Sequence, residues 1–257
     1  TRTLGLDGRP AQIRFEARAG MVVAGLAPAA RLLQLCGVQV QALISDGTGL
    51  AAGEAMLLGR GPAGAVLQGW KTAQTLVEAC SGIASATAAI VRSLREAGFT
   101  TPLACTRKNF PGTRRWAAEA VQAGGGVMHR LGLSESLLVF PEHRALLGEA
   151  ESLARVAALR RSQPEKTLVV EVTDAAEALA MARAGAQVLQ LERFSPAALA
   201  ALKQRLRDEG LPVRLAPAGG VSLANALAYA QAGADLLVSS APYFAPPMDV
   251  KVHITPA

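Results

Sequence analysis

The 257-residue chain is half hydrophobic, only 4% aromatic, and carries a formal net charge of +6 at pH 7. That size suits one large α/β domain or a barrel with a smaller domain attached. The basic charges are scattered and aromatics for base stacking are scarce, so no nucleic-acid partner is expected; the apolar runs are broken by Gly, Pro or charge, so no signal peptide or membrane span is expected.

Along the chain, the pattern divides near residue 100. Before it, Ile13–Arg18 alternates apolar and polar residues, as a half-buried strand should. Strand-like segments follow at Val38–Leu43 and Ala55–Gly59, with Gly-rich turns at Asp46–Gly49 and Gly59–Gly64. A helix is predicted from about Lys71 to Ala97; small residues at Gly82, Ala84, Ser85 and Ala86 suggest tight packing, at a subunit interface for example. After residue 100 strands and helices alternate. Short apolar runs lie at Pro102–Cys105, Ser136–Phe140, Thr167–Val172, Gln187–Leu191, Val213–Ala216 and Ala234–Val238. Helices are predicted over Glu142–Arg161, Asp174–Ala184, Ser195–Glu209 and Ser222–Ala232, with Asp174, Ser195 and Ser222 as N-caps. The six or more βα units after residue 100 carry no nucleotide-binding GxGxxG, which favours a barrel over a doubly wound sheet. Asp249–Ile254 alternates again and is expected to return to the first domain as a strand, giving boundaries of 1–100 (with 249–257) and 101–248. Cys36, Cys80 and Cys105 form no CxxC and fit reduced thiols in a cytoplasmic protein.

In a parallel barrel, function gathers at the carboxyl ends of the strands. Arg107 and Lys108, in Thr106-Arg107-Lys108-Asn109-Phe110-Pro111-Gly112, end the first such strand, and Gly124-Gly125-Gly126 leads to His129 and Arg130. Cations on sharply bending backbone suit the gripping of carboxylate or phosphate. Glu171 and Glu192 end two further strands and could hold ribose hydroxyls, Mg²⁺ or a cationic centre; pairing with neighbouring Arg and Lys is the simpler alternative. Ala218-Gly219-Gly220 and Ser239-Ser240 read as a phosphate cradle, since glycine lets backbone approach an anion and a helix start offers unpaired N–H groups. A tight turn would need the same glycines. His143 and His253 read as structural or exposed.

The strings TRKNFPGTRRWAAEAVQAGGGVMHRLGL, SGIASATAAIV, VVEVTDAAEALAMARAGAQVLQLERF and AGGVSLANALAYAQAGADLLVSSAP resemble the type II phosphoribosyltransferases, of which quinolinate phosphoribosyltransferase (nicotinate-nucleotide pyrophosphorylase) is the best-known group. The likeness covers nearly the whole chain. It implies an N-terminal α/β sandwich domain, an incomplete α/β barrel, and a homodimer or multiple of dimers whose sites are completed by the neighbour. It also implies an acidic helix ahead of Thr1-Arg2-Thr3-Leu4.

Several positions depart from the family pattern. Lys71 stands for an arginine reaching in from the partner, which keeps charge and loses the bidentate fork. Phe140 replaces the lysine of a KDNH motif, Val169 the first glutamate of EVEV, and Glu192 the aspartate of LDN; Ala218 and Ser240 alter loops that read SGG and SVG in the family. These departures resemble the ModD branch, named for its association with molybdate-transport genes.

The resemblance implies a pyrophosphorylase that transfers phosphoribosyl from 5-phosphoribosyl 1-diphosphate to a carboxylated nitrogen base, quinolinate-like but altered by Lys71 and Phe140, with quinolinate itself open but not favoured. Lys71, Arg107, Lys108, His129 and Arg130 would bind substrate; Glu171, Glu192 and Lys108 would be catalytic. Ala218, Gly219, Gly220, Ser239 and Ser240 would hold phosphate, and Mg²⁺ would accompany the diphosphate. The alternative is a non-catalytic anion- or molybdate-binding protein. A barrel isomerase acting on a sugar phosphate would share the phosphate loops and leave the TRK and HR motifs unexplained.

Overall fold

The computed structural model describes every residue but Ser134, and every side chain but those of Ser134 and Arg2. The chain forms two compact units. One comprises Thr1–Ala89, Asn109–Gly126 and Pro242–Ala257; the other comprises Ile90–Lys108 and Val127–Ala241. These differ from boundaries at residues 100 and 248: the helix after Lys108 groups with the first unit, and the last turns of the long helix group with the second.

In the first unit, strands β1 (Pro10–Ala17), β2 (Met21–Val22), helix α1 (Leu26–Leu35), β3 (Gln39–Ala42), β4 (Gly49–Leu50) and β5 (Ala55–Pro62) precede the long helix α2 (Ala63–Glu96). β1 lies between β5 and the C-terminal strand Val250–Pro256, antiparallel to both, with Ala17 opposite Val250 and Ile13 opposite Gly59. Ile13, Phe15 and Ala17 face the core, which Leu33, Met56, Leu57, Val66 and Val77 fill from the other elements. Gly59–Gly64 is no turn. Gly59 and Gly61 are interior to β5, and a Cβ on Gly59 would come within 2.9 Å of Ile13 and Val38 side-chain carbons. Those glycines answer a packing demand, which is why α2 starts earlier than predicted.

The small residues of α2 are used within the chain. The Ser81 and Ser85 hydroxyls accept from the Ala24 and Val22 amides at 3.0 and 2.9 Å. Gly82 receives the Pro246 carbonyl. By length and composition α2 could cross a bilayer, against expectation, but half of its most apolar stretch is buried in the protein. Buried Gln74 donates to the Val250 carbonyl at 2.6 Å and Thr87 to the Ile83 carbonyl at 2.8 Å, satisfying polar groups as a core helix must.

The second unit continues with β6 (Leu103–Cys105). Helix α3 (Arg114–Ala123) then intervenes within the first unit, and β7 (Val127–Met128), β8 (Ser136–Val139), α4 (Pro141–Ala145), α5 (Glu149–Ser162) and β9 (Thr167–Val172) follow. Then come α6 (Ala175–Arg183), β10 (Val188–Glu192), α7 (Pro196–Asp208), β11 (Arg214–Ala218), α8 (Ala226–Gln231) and β12 (Leu237–Ser239); β13 (Val250–Pro256) closes the chain. The strands pair in parallel as β11-β10-β9-β8 and β12-β6-β7. The two ladders meet where the Asp235 amide donates to Leu215 O at 2.9 Å. Among the described residues no ladder joins β7 to β8, so the barrel is incomplete, as expected.

Strand alternation divides the apolar runs between two cores. Leu168, Val170, Val172, Leu189, Leu191 and Leu215 pack against the helices. Val169, Val188, Ala216, Ala218 and Val238 fill the barrel interior. Glu171, Gln190 and Glu192 continue the inward-facing rows of β9 and β10. Val169, at the family's first EVEV glutamate, lies in the apolar layer one step below Glu171.

Two helix predictions need correction. Glu142–Arg161 is broken at Gly148, which adopts φ +76°, so α4 and α5 are separate. The helix expected from Ser222 starts at Ala226, because Asn225 Oδ1 takes the Ser222 amide at 2.8 Å and closes a turn first. Asp174 and Ser195 cap as predicted, accepting from Glu177 N and Ala198 N.

Gly82→Ala tests the packing of α2. A Cβ there would lie 2.5 Å from Pro246 O. We expect a loss of about 1–3 kcal/mol in urea unfolding from overpacking, whereas helix propensity alone would give a gain of about 1 kcal/mol. A gain would refute the contact.

Candidate active site

A cavity of about 590 Å³ opens at the carboxyl ends of the barrel strands, and every residue lining it belongs to the second unit. It gathers Arg107, Lys108, His129, Arg130, Glu171, Glu192, Ala218, Gly219, Gly220, Ser239 and Ser240. Of the residues singled out in the sequence, Lys71 is not there. It is exposed on α2 in the first unit, its Nζ 3.0 Å from Gln74 Oε1 and 5.0 Å from the Trp70 ring centre.

Short backbone links place the basic wall. The Thr106 amide donates to Ser239 O at 3.0 Å, tying β6 to β12, and the His129 amide donates to Cys105 O at 2.9 Å. Arg107, Lys108, His129 and Arg130 therefore emerge from neighbouring strand ends. Burial, and then the charge of Arg130, hold the His129 imidazole below its usual 6.5. Burial first, and Arg107 second, also lower Arg130. The imidazole is the neutral member of a cationic group with no anion among them.

The acidic wall is opposite in character. Glu171 is pushed above the ordinary carboxyl range by burial first and by Glu192 second, while the Gln190 side chain donates to Glu171 and opposes the shift. Lys108 also acts on Glu171 with the stabilising sign. Arg193 Nε lies 3.7 Å from Glu192 Oε1. The sequence reading passed over Arg193, yet it holds φ +56°, the one positive value for a non-glycine among the described residues. A left-handed arginine stores about 1 kcal/mol or more of strain. Its amide donates to Ala218 O at 3.0 Å, so the strain accompanies a link between the β10 and β11 ends.

The glycine loop is built for close approach. Gly219 and Gly220 take φ +73° and +120°, and a Cβ on Gly219 would overlap the Glu192 carboxylate. Ser239 is buried, and its hydroxyl donates to Val221 O at 2.6 Å while accepting from Ala241 N at 3.0 Å. It braces the two loops against each other. Ser222, Ser240 and the backbone remain as polar lining there.

Other lining residues carried no sequence signal. Leu138 and Val238 are ordinary strand residues that alternation turns inward, and Gln190 looks like any strand polar residue until its bond to Glu171 is seen. Phe140 lines the cavity with its ring centre 5.8 Å from the Arg130 guanidinium carbon. His143 is exposed and structural: its Nδ1 accepts from Phe140 N at 3.0 Å. His253 pairs with Glu16 Oε1 at 2.7 Å.

Two family models cover the chain: the quinolinate phosphoribosyl transferase N-terminal domain matches residues 1–81 and the C-terminal domain residues 83–253. The chain belongs to this family. It is thereby an enzyme of the pentosyltransferase class. A Rhodobacter capsulatus protein that carries the name pyrophosphorylase ModD is 46% identical over 88% of this chain and 87% of its own length. A nicotinate-nucleotide pyrophosphorylase (carboxylating) of Mycobacterium leprae is 34% identical over 80% of this chain and 71% of its own. The crystal structure of NadC from Streptococcus pyogenes superposes with a TM-score of 0.85 at 26% identity, covering 97% of this chain and 87% of that one. The N-terminal domain and barrel expected from the motifs are those of these structures.

Two measurements probe the site. An anion bound beside His129 and Glu171 raises the pKa of each, so binding takes up protons and affinity rises as pH falls from about 7.5 to about 6. Calorimetry with sulfate, which does not titrate in this range, in buffers of different ionisation enthalpy should show net proton uptake; proton release would contradict the assignment. Gly219→Ala should displace Glu192 and lower kcat/KM by about 10- to 100-fold, with a thermal melt separating this from unfolding.

Proposed function

We propose that the protein transfers phosphoribosyl from 5-phosphoribosyl 1-diphosphate to a carboxylated nitrogen base, releasing diphosphate. The observation that carries this reading is the arrangement of one cavity: cations from β6 and β7, acids on β9 and β10, and left-handed glycines after β11. The backbone of Gly219, Gly220 and Ser240 would receive the 5-phosphate, with Ser239 as their brace. Arg107, Lys108 and Arg130 would divide between the base carboxylate and the departing diphosphate. Glu171 and Glu192 would face the ribose, where a carboxylate stabilises positive charge as the glycosidic bond breaks. The Gln190 side chain first, and Lys108 more weakly, favour the ionised form of Glu171 against the opposing effects of burial and Glu192.

Mg²⁺ would arrive as part of the diphosphate substrate. Mg²⁺ prefers oxygen ligands and keeps phosphate oxygens among them, with Glu171 and Glu192 the carboxylates that line the cavity. The ion would neutralise the leaving group. The positioning of the two substrates would come from the chain itself.

A homodimer or multiple of dimers belongs to the same reading, and Lys71, exposed on α2, is available to a neighbouring copy. A reducing, cytoplasmic setting fits three free thiols, two of them buried with pKa values pushed by burial to about 11 and about 12. The ModD name shared with relatives motivates the molybdenum connection.

The test is diphosphate release from the ribosyl donor with Mg²⁺ and a panel of nitrogenous carboxylates. Arg107→Gln is expected to lower kcat/KM by about 100-fold or more for the accepted base. Tight molybdate binding with no diphosphate released for any base would favour the anion-binding alternative instead.

A further inference from the structure

The Phe140 side chain lines the cavity between the Arg130 guanidinium of the basic wall and, next around the barrel, Glu171 of the acidic wall. Three features hold it there. Its amide donates to His143 Nδ1 at 3.0 Å, and the two rings lie 5.8 Å apart at 40°. Helix α4, which it caps, carries Arg144, a buried residue ion-paired to Glu177 on α6. On the open side, the Arg130 guanidinium lies over the Phe140 ring, 5.8 Å from carbon to centre.

A guanidinium over an aromatic face is attracted by the ring's negative π cloud, and its in-plane N–H groups remain exposed. Those N–H groups form a fork that matches one carboxylate. Phe140 therefore orients Arg130 for a single bidentate contact and leaves an apolar surface beside it. The next wall is unfavourable to a second anion. Val139 pairs with Val170, so Phe140 is followed around the barrel by Glu171, with Glu192 beyond it. The cations acting on that wall are already engaged: Lys108 acts on Glu171, and Arg193 stands 3.7 Å from Glu192. A second carboxylate adjacent to the first would meet an aromatic ring and a carboxylate, with no oriented donor to replace its water.

We propose that Phe140 is a specificity-determining residue, and that the acceptor is a planar nitrogen heterocycle bearing one carboxylate, which Arg130 grips while the ring packs on Phe140. This rests on the phosphoribosyl-transfer reading for its chemistry, though its binding prediction is separable.

The experiment compares pyridine-3-carboxylate with pyridine-2,3-dicarboxylate by calorimetry, alongside diphosphate release from the ribosyl donor. The unaltered protein should bind the monocarboxylate about tenfold or more tightly than the dicarboxylate. Phe140→Lys supplies a cation and removes the ring, and should reverse that preference. Phe140→Tyr keeps the ring and should retain it. Should the lysine variant lose its melting transition, Phe140→Leu replaces it, and its preference should shrink to within about threefold. Three results overturn the proposal: tighter dicarboxylate binding by the unaltered protein, no binding of either base, or an unchanged ratio in the ring-less variants. Failure of the transfer reading looks different: the binding ratio behaves as stated, and no diphosphate is released with any base.

Discussion

The parallel ladder of the second unit is the constraint on which the site depends. Once β8 to β11 pair in register, each inward-facing residue has its height fixed relative to its neighbours. Val169 and Val188 pair in an apolar floor. Glu171, Gln190 and Ala216 form the next level, with Glu192 and Ala218 above it. A one-residue slip in β9 or β10 would send Glu171 or Glu192 towards the helices and a valine or leucine into the cavity. Hydrophobic burial on the outer face, at roughly 1.5–3 kcal/mol for each fully buried Leu or Val, thus sets the geometry of the polar residues on the inner face.

Within that frame the charges are unevenly satisfied. The acids have partners in the chain: Gln190 donates to Glu171, and Arg193 stands by Glu192. Among the cations from β6 and β7, burial first and neighbouring arginine charge second depress His129 and Arg130. Such an arrangement costs stability without an anion and is relieved by one. The backbone shows the same bias towards a ligand, with two left-handed glycines and one left-handed arginine crowded at adjacent strand ends.

The basic motif and the glycine pair were legible because chemistry and turn geometry demand particular residue types: Arg and Lys for anions, Gly for positive φ. The parallel strands were legible because burial on both faces produces continuous apolar runs. Less legible were features that rest on contacts across the sequence. β7 is two residues long and gives no pattern. The α4–α5 break depends on one glycine, and the late start of α8 on a side chain–backbone bond from Asn225. Gly59 resembles a turn residue until Ile13 and Val38 are seen beside it.

By itself, then, the sequence determined the two-part α/β architecture and family, the cationic strand ends and the glycine loop, because each is encoded by local composition or spacing. Tertiary structure alone decided which of those residues share a cavity and in what electrical state. It tied the Ser239 hydroxyl to Val221 O and Ala241 N, brought Gln190 onto Glu171, and laid Arg130 over Phe140. The reason is physical: a side chain's direction follows from strand register, and its charge from burial and neighbours. Neither is a property of the residue's place in the chain.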